Sequence, residues 1–357
     1  MIIGACGFTG SGSSAVMDYL KEYNSIYPFN DFEFILSHSP DGLEDLDFQL
    51  NRHCSKYSSS VVAIERFRRN VYNYTINLIV DKSIRRKAAE LSEDFIRSIT
   101  QVKWKGFGSA HHQMRFDPFY KDITFNKLSY KLAIRFLRLM PGSIRKNWSI
   151  YPATTMEFSI CPKDFDELAQ EYVSSILELL GADPSKKILL DQPFSGNCPQ
   201  NSFKFFKDPK AIIVDRDPRD MYIFVKEFYH RKGIVYQVPT DSVEHFVDYY
   251  LHMRDKQPYL DSDERILRIQ FEDMVYNYEE STRKISDFCG LSSTDRYRTV
   301  FKPQKSINNT QVFRRFKGYE KDISFIENKL PSYLFPFEKY PAISHFEEMF
   351  DKVKTLS

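Results

Sequence analysis

Several signals of an unusual environment are missing from this sequence. Only five of its 357 residues are cysteine, an odd number with no CxxC pair among them. That argues against a disulfide-stapled scaffold and a cysteine zinc site, and it fits reduced thiols in a cytoplasm. An excess of one charge is also absent. Fifty Lys and Arg oppose 48 Asp and Glu, a net of +2, so no nucleic-acid partner is indicated. No apolar run reaches the length of a membrane span. The first residues carry no basic segment and already read as a strand, so no signal peptide is expected. Internal repeats and low-complexity linkers are lacking too. With 42% hydrophobic residues, the chain has enough for one large α/β domain or two small ones.

What is present begins at residue 7. Residues 7–14 read GFTGSGSS and fit the phosphate-loop template G-x-x-x-x-G-K-[ST] everywhere except at Ser13, where the lysine belongs. An apolar run, Ile2 to Cys6, precedes the loop as a strand. Ala15, Val16, Tyr19 and Leu20 follow at helical spacing. Glycines let backbone N–H groups turn toward one point, and a helix N-terminus adds the positive end of its dipole. The stretch is therefore expected to cradle an anion, most simply a phosphate. Without the lysine, which neutralises the β- and γ-phosphates in nucleoside triphosphatases, ATP or GTP hydrolysis is disfavoured.

A second constellation lies at residues 210–228, KAIIVDRDPRDMYIFVKEF. Ala211–Val214 reads as a central parallel strand. Asp217 suits a helix cap and Pro218 a first turn, and Met221, Phe224, Val225 and Phe228 give that helix an apolar face. Ligands of open α/β sheets bind beyond the carboxyl ends of the strands. Arg216 is thereby placed to meet a second anionic group of the same ligand.

These segments, with ILRIQFEDMVYNYEESTRKISDFCGL at 266–291, resemble the sulfotransferases that use 3′-phosphoadenosine-5′-phosphosulfate (PAPS). Within that family they look most like bacterial enzymes found with surface-polysaccharide genes. Residues 40–180 carry little of the likeness. The resemblance implies an α/β, P-loop-like three-layer fold: a central parallel sheet flanked by helices, plus a helical insertion. It implies one domain over 1–357, with a nucleotide core at 1–35 and 186–320 and a helical acceptor side at 40–180. Thr9, Gly10, Ser11, Gly12, Ser13 and Ser14 would hold the 5′-phosphosulfate, and Arg216 the 3′-phosphate. Two positions depart from the pattern. Gly10 stands where many members have Lys or Arg, and Phe224 where many have a serine on the 3′-phosphate. Arg219, or Arg314, Arg315 and Lys317 of a basic-glycine segment in the tail, are the expected substitutes. No metal is implied.

The chemistry needs a base for the acceptor hydroxyl, fixed donors for the sulfonate, and cations or amides for the leaving phosphate. Glu33 is one candidate base, as glycan sulfotransferases carry a glutamate at a similar distance after the loop. His111 and His112 are the rival. Ile188–Leu190 reads as a strand opening on the same cleft, which makes Asp191, Gln192 and Asn197 candidates for the acceptor side. Helices are expected over Ser60–Tyr74, Lys82–Ile99, Leu128–Met140 and Phe165–Leu180. Their basic clusters suit an anionic glycan or simply a solvated face, and the 31 Phe and 22 Tyr do not choose between a sugar and a lipid or sterol alcohol. Two other readings stay open: a non-catalytic nucleotide-binding protein, and a P-loop kinase or NTPase with a replaced lysine.

Overall fold

The computed structural model describes residues 1–30, 32–53, 57–106, 135–136, 138–141, 154–229, 238–254 and 262–343. The chain forms two compact units, one of Met1–Ile35 with Leu180–Ser357, the other of Leu36–Leu179.

The first unit is built on five strands. They are β1 (Ile2–Gly7), β2 (Ile26–Pro28), β5 (Lys187–Asp191), β6 (Pro209–Asp215) and β7 (Ile266–Gln270), in the order β2-β5-β1-β6-β7. Every pairing is parallel. A parallel sheet covered on both faces demands apolar residues in consecutive positions, and β1 and β6 supply them. On one face Ile3, Ala5, Leu189, Ile212, Val214 and Ile269 pack with the helix Ser14–Leu20 and with Met274, Ile285 and Cys289. On the other face Gly4 leaves no room for a side chain, because a Cβ there would stand 2.6 Å from Phe194 and Pro193. The expected α/β architecture, a central parallel sheet flanked by helices, is what the chain adopts.

Local signals in the sequence account for the element ends. Asp217 caps the helix Pro218–Phe224 through a 2.9 Å bond from the Arg219 N–H, with Pro218 in the first turn. The segment 266–291 forms β7, the helices Phe271–Tyr276 and Tyr278–Cys289, and a left-handed Gly290 that ends the second helix.

The second unit holds the helices Tyr57–Tyr74, Lys82–Ile99 and Phe165–Leu179 and an antiparallel hairpin of β3 (Val102–Gly106) and β4 (Thr154–Phe158). Its core includes Phe67, Phe95 and Tyr172, the last two stacked at 4.8 Å. The expected helix over Leu128–Met140 lies largely outside the described residues.

Candidate functional site

The sheet order brings the carboxyl ends of five strands to one edge of the first unit. The phosphate loop leaves β1 there, Arg216 follows β6, Asp191 and Gln192 end β5, Phe271 and Glu272 follow β7, and Glu33 lies a few residues beyond β2. The chain after β2 keeps running beside β5, since the Phe34 N–H donates to the Asp191 carbonyl at 2.8 Å.

The loop is shaped by two left-handed glycines, Gly10 at φ 80° and Gly12 at φ 89°, a conformation costly for other residues. Gly12 is doubly constrained, because a Cβ there would stand 2.8 Å from the Phe271 ring. Ser11 is buried and works inside the loop. Its Oγ accepts the Phe8 N–H at 3.0 Å, and its own N–H donates to the Phe8 carbonyl at 2.9 Å. Ser13 stands at the N-cap of the Ser14–Leu20 helix without a side-chain capping bond, and Ser14 is exposed. Gln192, expected on the acceptor side, holds the loop. It accepts the Gly7 N–H at 3.2 Å and donates to Ser13 Oγ at 3.0 Å.

Arg216 is buried, at 3% exposure. Its guanidinium lies between the rings of Phe224 and Phe271, 5.1 and 5.3 Å from their centroids. One nitrogen donates to the Gly10 carbonyl at 3.0 Å and another to the Asn309 carbonyl. Its Nε is buried with no hydrogen-bond acceptor among the described residues. A guanidinium has five N–H donors, so these two contacts leave donor capacity on Arg216 among the described residues. The two departures at Gly10 and Phe224 turn out to be neighbours. A Cβ on Gly10 would stand 3.4 Å from the Phe224 ring, so the ring that lies on Arg216 also sits beside Gly10.

Arg219, expected as a substitute cation, is held inside the fold. Its donors reach Asp217 Oδ1 and Oδ2 at 3.0 and 2.7 Å, Glu327 at 2.8 Å and the Phe335 carbonyl at 3.0 Å. With those partners it braces the turn to the tail. The three tail cations separate as well. Arg315 lies near Arg216 and Asp220. Burial pulls its guanidinium down to about 10, with Asp220 opposing and Arg216 adding to the fall. Arg314 is exposed and bonded to Gln311 at 2.5 Å, and Lys317 is exposed. Of the three, Arg315 is the one brought beside Arg216.

Two buried acids pack around this turn. The Asp217 N–H donates to Glu272 Oε1 at 3.0 Å, which gives the Phe-Glu-Asp segment a structural task. The Phe313 N–H donates to Asp220 Oδ1 at 3.1 Å. Burial pushes Asp220 up to about 7 against the pull of Arg216, and it raises Glu272 well above the usual carboxylate range. Arg254 carries no sequence signal, yet it links the ends of β1 and β6. It pairs with Asp215 at 2.5 Å and lies 3.9 Å from the ring centroid of Phe8 and 3.5 Å from that of Tyr250.

Asp191 is pushed up to about 6 by burial, with the charge of Glu33 adding to the rise. Glu33 itself is exposed. Asn197 lies in the turn after β5, its N–H on Ser195 Oγ at 3.2 Å. Thr9 lies in the phosphate loop, partly exposed. His111 and His112 lie outside the described residues. Among the described residues no cluster of His, Cys, Asp and Glu is arranged to hold a metal, and no helix is long and apolar enough to cross a membrane.

The sequence model of the sulfotransferase family matches residues 107–295, more than half of the chain. The chain belongs to the sulfotransferase family. The matched span includes Arg216 and the Phe271 segment and begins after the phosphate loop. Among solved structures the chain is similar to a sulfotransferase from Mycobacterium avium, with 11% identity and a TM-score of 0.39 over 97% of this chain and 78% of that one. It is similar to the sulfotransferase domain of the curacin biosynthetic pathway, at 13% identity and a TM-score of 0.38 over 94% and 98% of the two chains. A mouse sulfotransferase complexed with PAP matches at 16% identity and a TM-score of 0.28, over 44% of this chain and 69% of that one. No curated protein matches the chain.

Proposed function

We propose that the protein transfers a sulfonate group from PAPS to an acceptor hydroxyl, without a metal. The observation that supports this reading is the contact between Arg216 and the Gly10 carbonyl at 3.0 Å. It joins the cationic turn to the neutral phosphate loop, as a nucleotide with separate 5′- and 3′-anions would require. In the reaction the acceptor oxygen attacks sulfur, and the bond from sulfur to the 5′-phosphate oxygen breaks. Adenosine 3′,5′-bisphosphate leaves, and the acceptor proton passes to a base. Loop amides and Ser13 would stabilise the phosphate as its charge grows. Glu33 is the proposed base, with Asp191 and Asn197 on the acceptor side. The acceptor proposed is a carbohydrate, as in bacterial surface-polysaccharide sulfation in the cytoplasm.

Calorimetric titration with adenosine 3′,5′-bisphosphate, ATP and GTP tests the donor. Binding of the bisphosphate without added metal, and none of ATP or GTP, is expected. The reverse preference would support the kinase or NTPase reading. A screen of glycan, lipid and sterol acceptors with labelled PAPS then tests the acceptor, and bisphosphate binding with no transfer to any acceptor would favour a non-catalytic nucleotide-binding protein. Glu33→Gln is expected to cut turnover on the order of 10²–10⁴-fold with PAPS affinity unchanged. Near-normal turnover there, with a dead His111→Ala or His112→Ala, would move the base to that histidine.

A further inference from the structure

Gln192 is the first residue after β5 and holds a left-handed backbone, φ 53°. Its amide spans two parts of the phosphate loop. The Gly7 N–H donates to Oε1, and Nε2 donates to Ser13 Oγ. A backbone N–H can only donate, so the Gly7 contact decides which end of the amide is oxygen. The nitrogen end is thereby turned to Ser13, whose oxygen must accept. A hydroxyl that accepts in this way keeps its own proton to give. Ser13 also declines the usual task of a serine at a helix start, for its side chain caps none of the helix N–H groups.

We infer that Gln192 is a positioning residue for the sulfonate donor. It holds Ser13 with its hydroxyl proton directed at the 5′-phosphate, at the loop position where triphosphatases place a lysine. This rests on the PAPS reading above. Left alone, a serine hydroxyl rotates between donor and acceptor roles, and an acceptor lone pair facing an anion is repulsive. The Gln192 amide removes that alternative before the nucleotide arrives, and a hydrogen bond received by an oxygen polarises the bond it gives. The loop thus replaces a mobile cation with a neutral donor of fixed direction.

The test is calorimetry with two probes, adenosine 3′,5′-bisphosphate and adenosine 3′-monophosphate. Gln192→Met removes the amide without adding charge. It is expected to weaken the bisphosphate about tenfold, the scale of one charge-assisted hydrogen bond, and to leave the monophosphate unchanged. Ser13→Ala should do the same, and the double variant should be no weaker than either single one. Equal losses for both probes, or additive losses in the double variant, would assign Gln192 a merely structural role and overturn the inference. Gln192→Glu provides a second test that keeps the acceptor for Gly7. Its ionised carboxylate cannot donate to Ser13, so bisphosphate binding near pH 8 should fall at least tenfold; wild-type affinity there would also overturn the inference. A wild-type protein that binds no bisphosphate would instead refute the PAPS reading.

Discussion

The two strand ends that meet at the site are built on opposite plans. After β1, residues 7–14 contain no charged side chain at all. After β6, five of the six residues Asp215–Asp220 are charged, and Arg216, Asp217, Arg219 and Asp220 are buried. The first plan works through the backbone angles of Gly10 and Gly12, with the Gln192 amide holding the loop. The second works through side chains whose roles depend on residues far away in sequence, such as Glu327, Asn309 and Phe335. Buried charges are costly unless paired, so most of this turn serves the fold and only part of it is left for a ligand. Sequence neighbours of like charge can therefore have unlike duties, as Arg216 and Arg219 do.

The largest expected effect breaks the charged end at its brace. Arg219→Ala leaves Asp217 buried without its cation and should cost about 3–5 kcal/mol of stability, read from urea denaturation. A variant of ordinary stability that had lost nucleotide affinity would exchange the duties of the two arginines. Arg216→Ala is the matching experiment. It should weaken PAPS and adenosine 3′,5′-bisphosphate by about 2–4 kcal/mol, because it removes a cation from a doubly charged phosphate. Stability should change less than in Arg219→Ala. An equal loss for nucleotides lacking the 3′-phosphate would take Arg216 out of that role.

The smallest effect lies at the β5 end. Asp191 rises from 3.8 to about 6, through burial first and Glu33 second. Between those values the folded chain binds more protons than the unfolded one, so this group's contribution falls as pH climbs from about 4 to about 6. Asp191→Asn should abolish that fall. The variant should be more stable than wild type near pH 7 by about 1–2 kcal/mol, after discounting for partial exposure, and equal to it near pH 3.5. Melting temperatures at the two pH values decide it, and an equal difference at both would show that Asp191 does not titrate in that window.

Much of the fold was legible because its signals are local. The apolar run Ile2–Cys6, the loop glycines and the Asp217–Pro218 helix start each act within a few residues of themselves, and each element was expected where it stands. The helix Lys82–Ile99 carries its own period and an Asp81 cap that accepts the Ser83 and Ile84 N–H groups. Tertiary partners are not local, and what the sequence did not show gathers there. Nothing near Gln192 says that its amide will hold the loop, because Gly7 and Ser13 lie about 180 positions earlier. Nothing in the helix Val243–Arg254 marks its last residue as the partner of Asp215. Phe224 read as a lost contact in the sequence; in space it is a ring on Arg216.

By itself, the sequence determined the parallel α/β sheet, the place of a glycine-rich loop after β1, and an arginine after a neighbouring strand. Those follow from periodicity, glycine freedom and capping, which operate over one or two turns of chain. Only the tertiary structure decided which arginine faces the loop and which is tied to Asp217 and Glu327. It also decided which tail cation approaches Arg216 and which side chain orients Ser13. Each of these depends on which donors and acceptors the sheet order makes neighbours, and a buried charge takes its role from the partner that it meets there.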